Sequence, residues 1–197
     1  NFNHMSDFRL FFSLGWSHII SWDALDHLLF ILALSAIYLF RDWKQVLILI
    51  TAFTIGHSLT LLLSVLDVIR FSSRWVEFLI PLTIVITASW NLLPKQKERP
   101  AIRIQYFLAL GFGLIHGMGF ANSIRFMMAE SQSIAVPLLS FNIGLEAGQI
   151  VVVTGILLLA QVLVVSARLP RILWIRSTAW IALGISAWMC YERFPIG

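Results

Sequence analysis

The sequence is poor in charge and in cysteine. Charged residues make up 12% of the chain and hydrophobic residues 59%, whereas about 25% of the residues in a soluble domain are charged. A soluble globular protein is therefore excluded. Cys190 is the only cysteine among 197 residues, so neither an intrachain disulfide nor a metal site made of several thiolates can form.

Long apolar runs dominate the chain. A helix needs about 20 mostly apolar residues to cross a bilayer, and the runs lack the period-two alternation of a membrane barrel strand. The sequence predicts an all-α, polytopic membrane protein, with a bundle of six transmembrane helices in one domain, residues 5–197. The predicted spans are roughly residues 17–40, 45–66, 76–93, 103–128, 134–165 and 174–191. Before them, Met5–Trp16 is predicted to be a short interfacial helix or a first turn packed against the bundle, and residues 1–4 are predicted to be a cloning remnant.

The positive residues are distributed unevenly between the predicted connections. Nine lysines and arginines flank the connections between spans one and two, three and four, and five and six, against five on the other side. Because cytoplasmic connections carry the excess of positive charge, both termini are predicted to lie outside a bacterial-type inner membrane. The net charge of +4 is therefore a topology signal. Membrane lipid is an expected partner, nucleic acid is not, and a homo-oligomer is compatible with the sequence.

Four ionisable residues lie deep inside four different predicted spans: His27, His57, His116 and Glu146. An ionisable group at this depth costs about 2.5–3.5 kcal/mol, so it indicates function. With a helical rise of about 1.5 Å per residue, each of the four comes out roughly 14–18 Å from the predicted outer end of its span. One such residue alone would be read as a structural hydrogen-bonding group. Four in one layer predict a shared site.

The residue types in this layer indicate the ligand. Imidazoles and carboxylates without thiolates suit zinc, nickel or cobalt, whereas calcium and magnesium prefer oxygen alone. A divalent transition metal ion is therefore the predicted cofactor. The predicted metal ligands are Asp23, Asp26, His27, His57, His116 and Glu146. The predicted supporting residues are His18, Ser58, Asn142 and Gln149.

Four motifs, in order along the chain, resemble those of the HupE/UreJ family of membrane proteins. They are Gly15-Trp-Ser-His-Ile-Ile with Leu25-Asp-His-Leu-Leu-Phe30, Phe53-Thr-Ile-Gly-His-Ser-Leu-Thr60, Gly111-Phe-Gly-Leu-Ile-His-Gly-Met-Gly-Phe-Ala121, and Phe141-Asn-Ile-Gly-Leu-Glu-Ala-Gly-Gln149. The family is described as nickel or cobalt permeases. The resemblance therefore implies metal transport by a membrane protein.

The first motif departs from the family pattern. The family has a histidine, a five-residue gap and then Asp-His, which implies metal roles for His18, Asp26 and His27. Here the gap is seven residues, Ile19–Leu25. In a continuous helix the two extra residues turn His18 by roughly 200° relative to Asp26 and His27. Asp23, one turn before His27, is the alternative ligand.

Three hypotheses about function follow. The first is a metal transporter that binds a nickel-, cobalt- or zinc-type ion in the outer half of the bundle. The second is an intramembrane metal-dependent hydrolase that acts on a lipid or a membrane-anchored peptide, with Glu146 or Asp26 as the base. The third is a metal-sensing or accessory membrane component. The sequence alone leaves all three open.

Overall fold

The computed structural model describes residues 2–93, 102–128 and 134–195, without the side chains of residues 2–6, 23, 102, 122, 125, 126 and 128. All regular structure in these ranges is helical. The helices are α1 (Phe2–Ile20), α2 (Leu25–Ser35), α3 (Trp43–Val65), α4 (Ser73–Leu92), α5 (Ile102–Met128), α6 (Ala135–Ala160) and α7 (Arg171–Glu192). A π-helical turn, Gln161–Ser166, extends α6, and short 3-10 turns, Trp22–Ala24 and Phe40–Asp42, precede α2 and α3.

Five of these helices are long and apolar enough to cross a membrane. They cover Phe40–Val65, Ser73–Leu92, Arg103–Ala121, Ala135–Ser166 and Arg171–Glu192. The pair α1 and α2 forms a sixth span if the two helices, which are bent by 65°, are counted as one. The prediction of an all-α, multi-pass membrane protein is confirmed.

The first span differs in detail from the prediction of a continuous helix over residues 17–40. Helix α1 continues through Trp16 as far as Ile20, and the chain then breaks at Ser21, whose backbone is extended (φ −70°, ψ 155°). Serine and aspartate compete with helical hydrogen bonds, and the local sequence Ser21-Trp-Asp23 places both at the break. The helix restarts at Leu25, so α2 runs in a new direction.

The predicted interfacial segment is therefore part of α1, and it packs along α6. The approach is close enough that a Cβ atom on Gly15 would lie 2.0 Å from the carbonyl oxygen of Phe141. Helices α3 and α5 meet in the same way, since a Cβ on Gly113 would lie 2.1 Å from the carbonyl oxygen of Phe53. Small residues let helix backbones approach in a membrane, and this contact sets the spacing of α3 and α5.

The short helix α2 is contacted near both ends by arginines that flank α7, Arg171 at its first residue and Arg193 directly after its last. Near the last turn of α2 the Arg171 guanidinium donates to the carbonyl oxygen of Ile37. Near its first turn the Arg193 guanidinium lies 3.6 Å from the Asp26 carboxylate. We call these two ends of the bundle the Ser35 end and the Arg193 end. The ends of α2, α4 and α6 and the starts of α3, α5 and α7 lie at the Ser35 end.

Candidate metal centre

Three histidines from three different helices meet near the break between α1 and α2. His18 comes from α1, His27 from α2 and His57 from α3, and one ring nitrogen of each lies within 4.8 Å of the others. The rings of His18 and His27 are 4.6 Å apart. The 65° bend explains why His18 reaches this group, because the rotation expected for a continuous helix does not apply. We refer to these three residues as the histidine centre.

Each ring of the histidine centre has at least one buried nitrogen without a partner. Nε2 of His18, Nε2 of His27 and both ring nitrogens of His57 have no hydrogen-bond partner among the described residues. A buried polar atom without a partner costs about 1–3 kcal/mol, so folded proteins rarely retain one without a reason. Because a neutral imidazole has one lone-pair nitrogen and one N–H, the three rings can offer three lone pairs to a cation, one from each helix.

Asp26 orients the ring of His27. Its Oδ1 lies 3.0 Å from Nδ1 of His27 and also accepts from the His27 backbone amide at 2.9 Å. A carboxylate at Nδ1 holds the proton there and leaves the Nε2 lone pair free, which is the usual arrangement behind a metal-binding histidine. In this structure Asp26 is hydrogen-bonded to His27, and its assignment as a direct ligand stays a prediction.

His116 on α5 lies beside the histidine centre. Its ring centroid is 5.0 Å from that of His27, and its Nε2 is 3.1 Å from the hydroxyl oxygen of Thr83. The Thr83 hydroxyl donates its proton to the carbonyl oxygen of Ile80 at 2.7 Å, so it accepts from Nε2–H of His116. The lone pair of His116 then lies on Nδ1, which is buried without a partner in the described part of the chain.

A cavity of about 280 Å³ leads from the Arg193 end to these histidines. Its wall includes His18, His27 and His116 together with the charged residues Asp26, Glu77 and Arg193. The sequence analysis assigned no role to Glu77 or Arg193. Glu77 is the only acidic residue of α4, lies near the start of that helix and is exposed.

Two of the predicted site residues, Glu146 and Gln149, lie on α6 and are bonded to α3. The Glu146 carboxylate accepts from the Thr51 hydroxyl at 2.8 Å, and the Gln149 side chain accepts from the Thr54 hydroxyl at 2.9 Å. Neither is among the residues that line the cavity, and Glu146 is outside the group of three histidines. Glu146 links α6 to α3 through Thr51, and its assignment as a metal ligand stays a prediction.

The remaining predicted residues have separate environments. Ser58 donates to the carbonyl oxygen of Thr54 within α3, at 2.6 Å. Asn142 is half-buried, and no described residue pairs with its Oδ1. The side chain of Asp23 lies outside the described residues, so its assignment as a ligand stays a prediction.

The full-length pattern of the chain matches a known family. A family model described as HupE / UreJ protein matches residues 1–193. The chain belongs to this family. The match includes residues 1–4, whose assignment as a cloning remnant stays a prediction. Comparison with curated proteins and with solved structures gives no match. Membership in the HupE/UreJ family implies a membrane protein with a role related to metal transport, and it does not identify the metal.

This HupE/UreJ family member has an aromatic layer one helical turn from its histidines. Phe30 follows His27 on α2, whereas Phe53 and Phe112 precede His57 and His116 on α3 and α5. The centroid distances are 5.0 Å between Phe30 and Phe53, and 5.8 Å between Phe30 and Phe112. Because α2 runs against α3 and α5, all three rings lie on the Ser35 side of the histidines. The layer closes the histidine centre on that side.

Proposed function

We propose that this protein binds a divalent transition metal ion at the histidine centre and moves it across the membrane. The observation that carries the proposal is that His18, His27 and His57 each place one ring nitrogen within 4.8 Å of the others, and that each of these rings has a buried nitrogen without a partner in the described residues. Nitrogen ligands of this kind suit nickel, cobalt and zinc, and discriminate against calcium and magnesium. The family membership of the chain supports the same conclusion.

The direction of entry follows from the distribution of charge. The positive residues that flank the first and last of the proposed cytoplasmic connections, including Arg41, Lys44 and Arg171, lie at the Ser35 end. Under the positive-inside rule this end faces the cytoplasm. The cavity at the Arg193 end then faces outward, and Asp26 and Glu77 on its wall attract a cation toward the histidines.

Release requires a rearrangement of the aromatic layer. Phe30 and Phe53 are almost fully buried, with 1% of each exposed, and they lie directly behind the histidines. A second cavity on the far side, at the Ser35 end, is lined by Phe112 together with Thr87, Asn91 and Gln105. Movement of the layer would join the two cavities. A site with only a few ligands suits transport, because the metal ion must be bound weakly enough to leave the site again.

The hydrolase hypothesis is less well supported by the geometry. It requires a free carboxylate beside an open metal position, to act as a base. Glu146 is hydrogen-bonded to Thr51, and Asp26 is held by His27 and Arg193. Both carboxylates named for that role are engaged with other groups, which favours transport.

A flux measurement tests the proposal. Purified protein in proteoliposomes is expected to take up nickel, cobalt or zinc ions, and the His57→Ala variant is expected to lose that uptake. Ser186→Ala is the matched control, since Ser186 is also buried but donates only to carbonyl oxygens of its own helix. Intact control uptake with lost His57→Ala uptake supports the proposal. Absence of flux for all three metals in the unsubstituted protein would overturn it.

A further inference from the structure

A positive side chain lies on the wall of the cavity that leads to the histidine centre. Arg193 follows the last residue of α7, and its side chain is 34% exposed. A fixed positive charge repels an incoming cation, so a guanidinium is an unexpected residue at the entrance to a cation site. Its position therefore calls for a physical reason.

The reason lies in the shared use of Asp26. One carboxylate oxygen, Oδ1, holds Nδ1 of His27 at 3.0 Å, and the other, Oδ2, lies 3.6 Å from Nη1 of Arg193. The Asp26 side chain is only 14% exposed, and a carboxylate this far from water needs a partner of opposite charge. Arg193 supplies that charge while the histidine centre holds no ion.

A bound metal ion changes this balance. Coordination through Nε2 of His27 draws electron density from the ring, so Nδ1–H becomes a stronger donor to Asp26. The ion also brings two positive charges close to the same carboxylate. Asp26 then has a better partner, and repulsion between the ion and the guanidinium weakens the pair with Arg193.

We propose that Arg193 is a resident counter-cation that neutralises Asp26 between transport events and is displaced when the metal ion binds. This inference rests on the proposed function of the histidine centre. Entry of the ion is then an exchange of one positive group for another, and the return of Arg193 to Asp26 promotes release. Arg193 is a positioning residue that acts through Asp26 and does not touch the ion.

The first test measures affinity and release separately. In detergent, Arg193→Gln is expected to bind nickel or zinc ions about three- to tenfold more tightly than the unsubstituted protein, since a partly exposed pair of this kind opposes binding only modestly. Release to a chelator, followed by stopped flow, is expected to slow by a similar factor, because changes in affinity fall mostly on the dissociation rate. Uptake at saturating metal is expected to fall as well.

Two variants serve as controls for this test. Arg193→Lys keeps the positive charge and is expected to restore release to near the original rate. Arg176→Gln removes an exposed positive charge from α7, the helix that ends directly before Arg193, and is expected to change neither affinity nor release. An unchanged or weaker affinity in a folded Arg193→Gln protein would overturn the inference.

A double substitution tests whether Arg193 acts through Asp26. In an Asp26→Asn background, Arg193→Gln is expected to have no further effect on affinity, because the carboxylate that the two cations share is gone. The same three- to tenfold gain in both backgrounds would contradict the exchange and would indicate a general electrostatic effect.

A measurement on the unsubstituted protein tests the exchange even if the Arg193→Gln variant does not fold. With arginine labelled with nitrogen-15, the Arg193 side-chain resonance is assigned by its absence from Arg193→Lys. Zinc ions at saturation are expected to shift it, and magnesium ions are not. No shift with bound zinc would overturn the exchange alone, whereas an unsubstituted protein that binds none of nickel, cobalt and zinc would overturn the proposed function and the exchange with it.

Discussion

The two ends of the bundle differ in how their buried polar side chains are bonded. At the Ser35 end Asn91 donates to the carbonyl oxygen of Ala33 at 2.7 Å and Tyr38 donates to Gln105, whereas Nε1 of Trp174 at the same end is buried without a partner in the described residues. Toward the Arg193 end, ring nitrogens of His18, His27 and His57 are buried without partners in the described residues.

This difference distinguishes polar side chains that stabilise the fold from polar side chains that are available to bind a ligand. A satisfied hydrogen bond in a membrane bundle contributes modestly to helix association, and the Ser35 end uses such bonds to fasten α2, α4 and α5. Unpaired nitrogens reduce stability instead, so their concentration in one place indicates a ligand. The comparison predicts that substitutions at the two ends will affect stability and metal affinity in opposite ways.

The largest effect is expected from removing a histidine of the centre. His57→Leu takes away two unpaired nitrogens and one ligand. Metal affinity is expected to fall more than about 100-fold, while the metal-free protein is expected to become more stable by about 1–3 kcal/mol. Equilibrium dialysis and thermal unfolding measure the two quantities. Lower stability together with unchanged affinity would remove the distinction between the two ends.

Addition of metal is the second test, with an effect that depends on concentration. An ion that binds only the folded protein stabilises it by about 2.7 kcal/mol at 100 times its Kd. Nickel, cobalt or zinc ions are therefore expected to raise the unfolding temperature of the unsubstituted protein, and a chelator is expected to reverse the rise. His57→Leu is expected to show no such rise, and an equal shift in that variant would place the ion elsewhere.

A substitution at the Ser35 end is expected to show the opposite behaviour. Asn91→Ala leaves the carbonyl oxygen of Ala33 without its donor, at a cost of about 1–3 kcal/mol in stability. Metal affinity is expected to stay the same, since Asn91 is at the far side of the aromatic layer. Thermal unfolding and equilibrium dialysis again give the result. A loss of affinity in a protein that is still folded would mean that the two ends are coupled.

The smallest effect is expected at Glu146, which the sequence analysis included among the ligands. Because its carboxylate accepts from Thr51, Glu146→Gln is expected to change metal affinity by less than about twofold, which corresponds to about 0.4 kcal/mol. Thr51→Ala removes the hydroxyl that pairs with Glu146 and is the matched control. A fall in affinity comparable to that of His57→Leu would return Glu146 to the metal centre.

Much of the candidate site could be predicted from depth and residue type. The structure brings His27, His57 and His116 together, as expected for ionisable residues in one layer of an apolar bundle. The repeated Phe-x-x-x-His spacing at Phe53 and Phe112 also has a structural counterpart in the aromatic layer.

His18 and Arg193 could not be placed in the same way. The position of His18 depends on the break at Ser21. Residue spacing gives directions only for a continuous helix, in which His18 would point away from Asp26 and His27. Arg193 lies 167 residues after Asp26 along the chain, and no local pattern indicates that the end of α7 returns to the start of α2.

The amino-acid sequence by itself determined the class of protein, the helical content and the presence of long apolar spans, because each depends on hydrophobicity and on a fixed rise per residue. Only the tertiary structure decided which polar residues share a site, and that the ion pair between Asp26 and Arg193 lies beside it. Those choices depend on a bend of 65° and on contacts between distant helices, which depend on packing in three dimensions and not on local spacing.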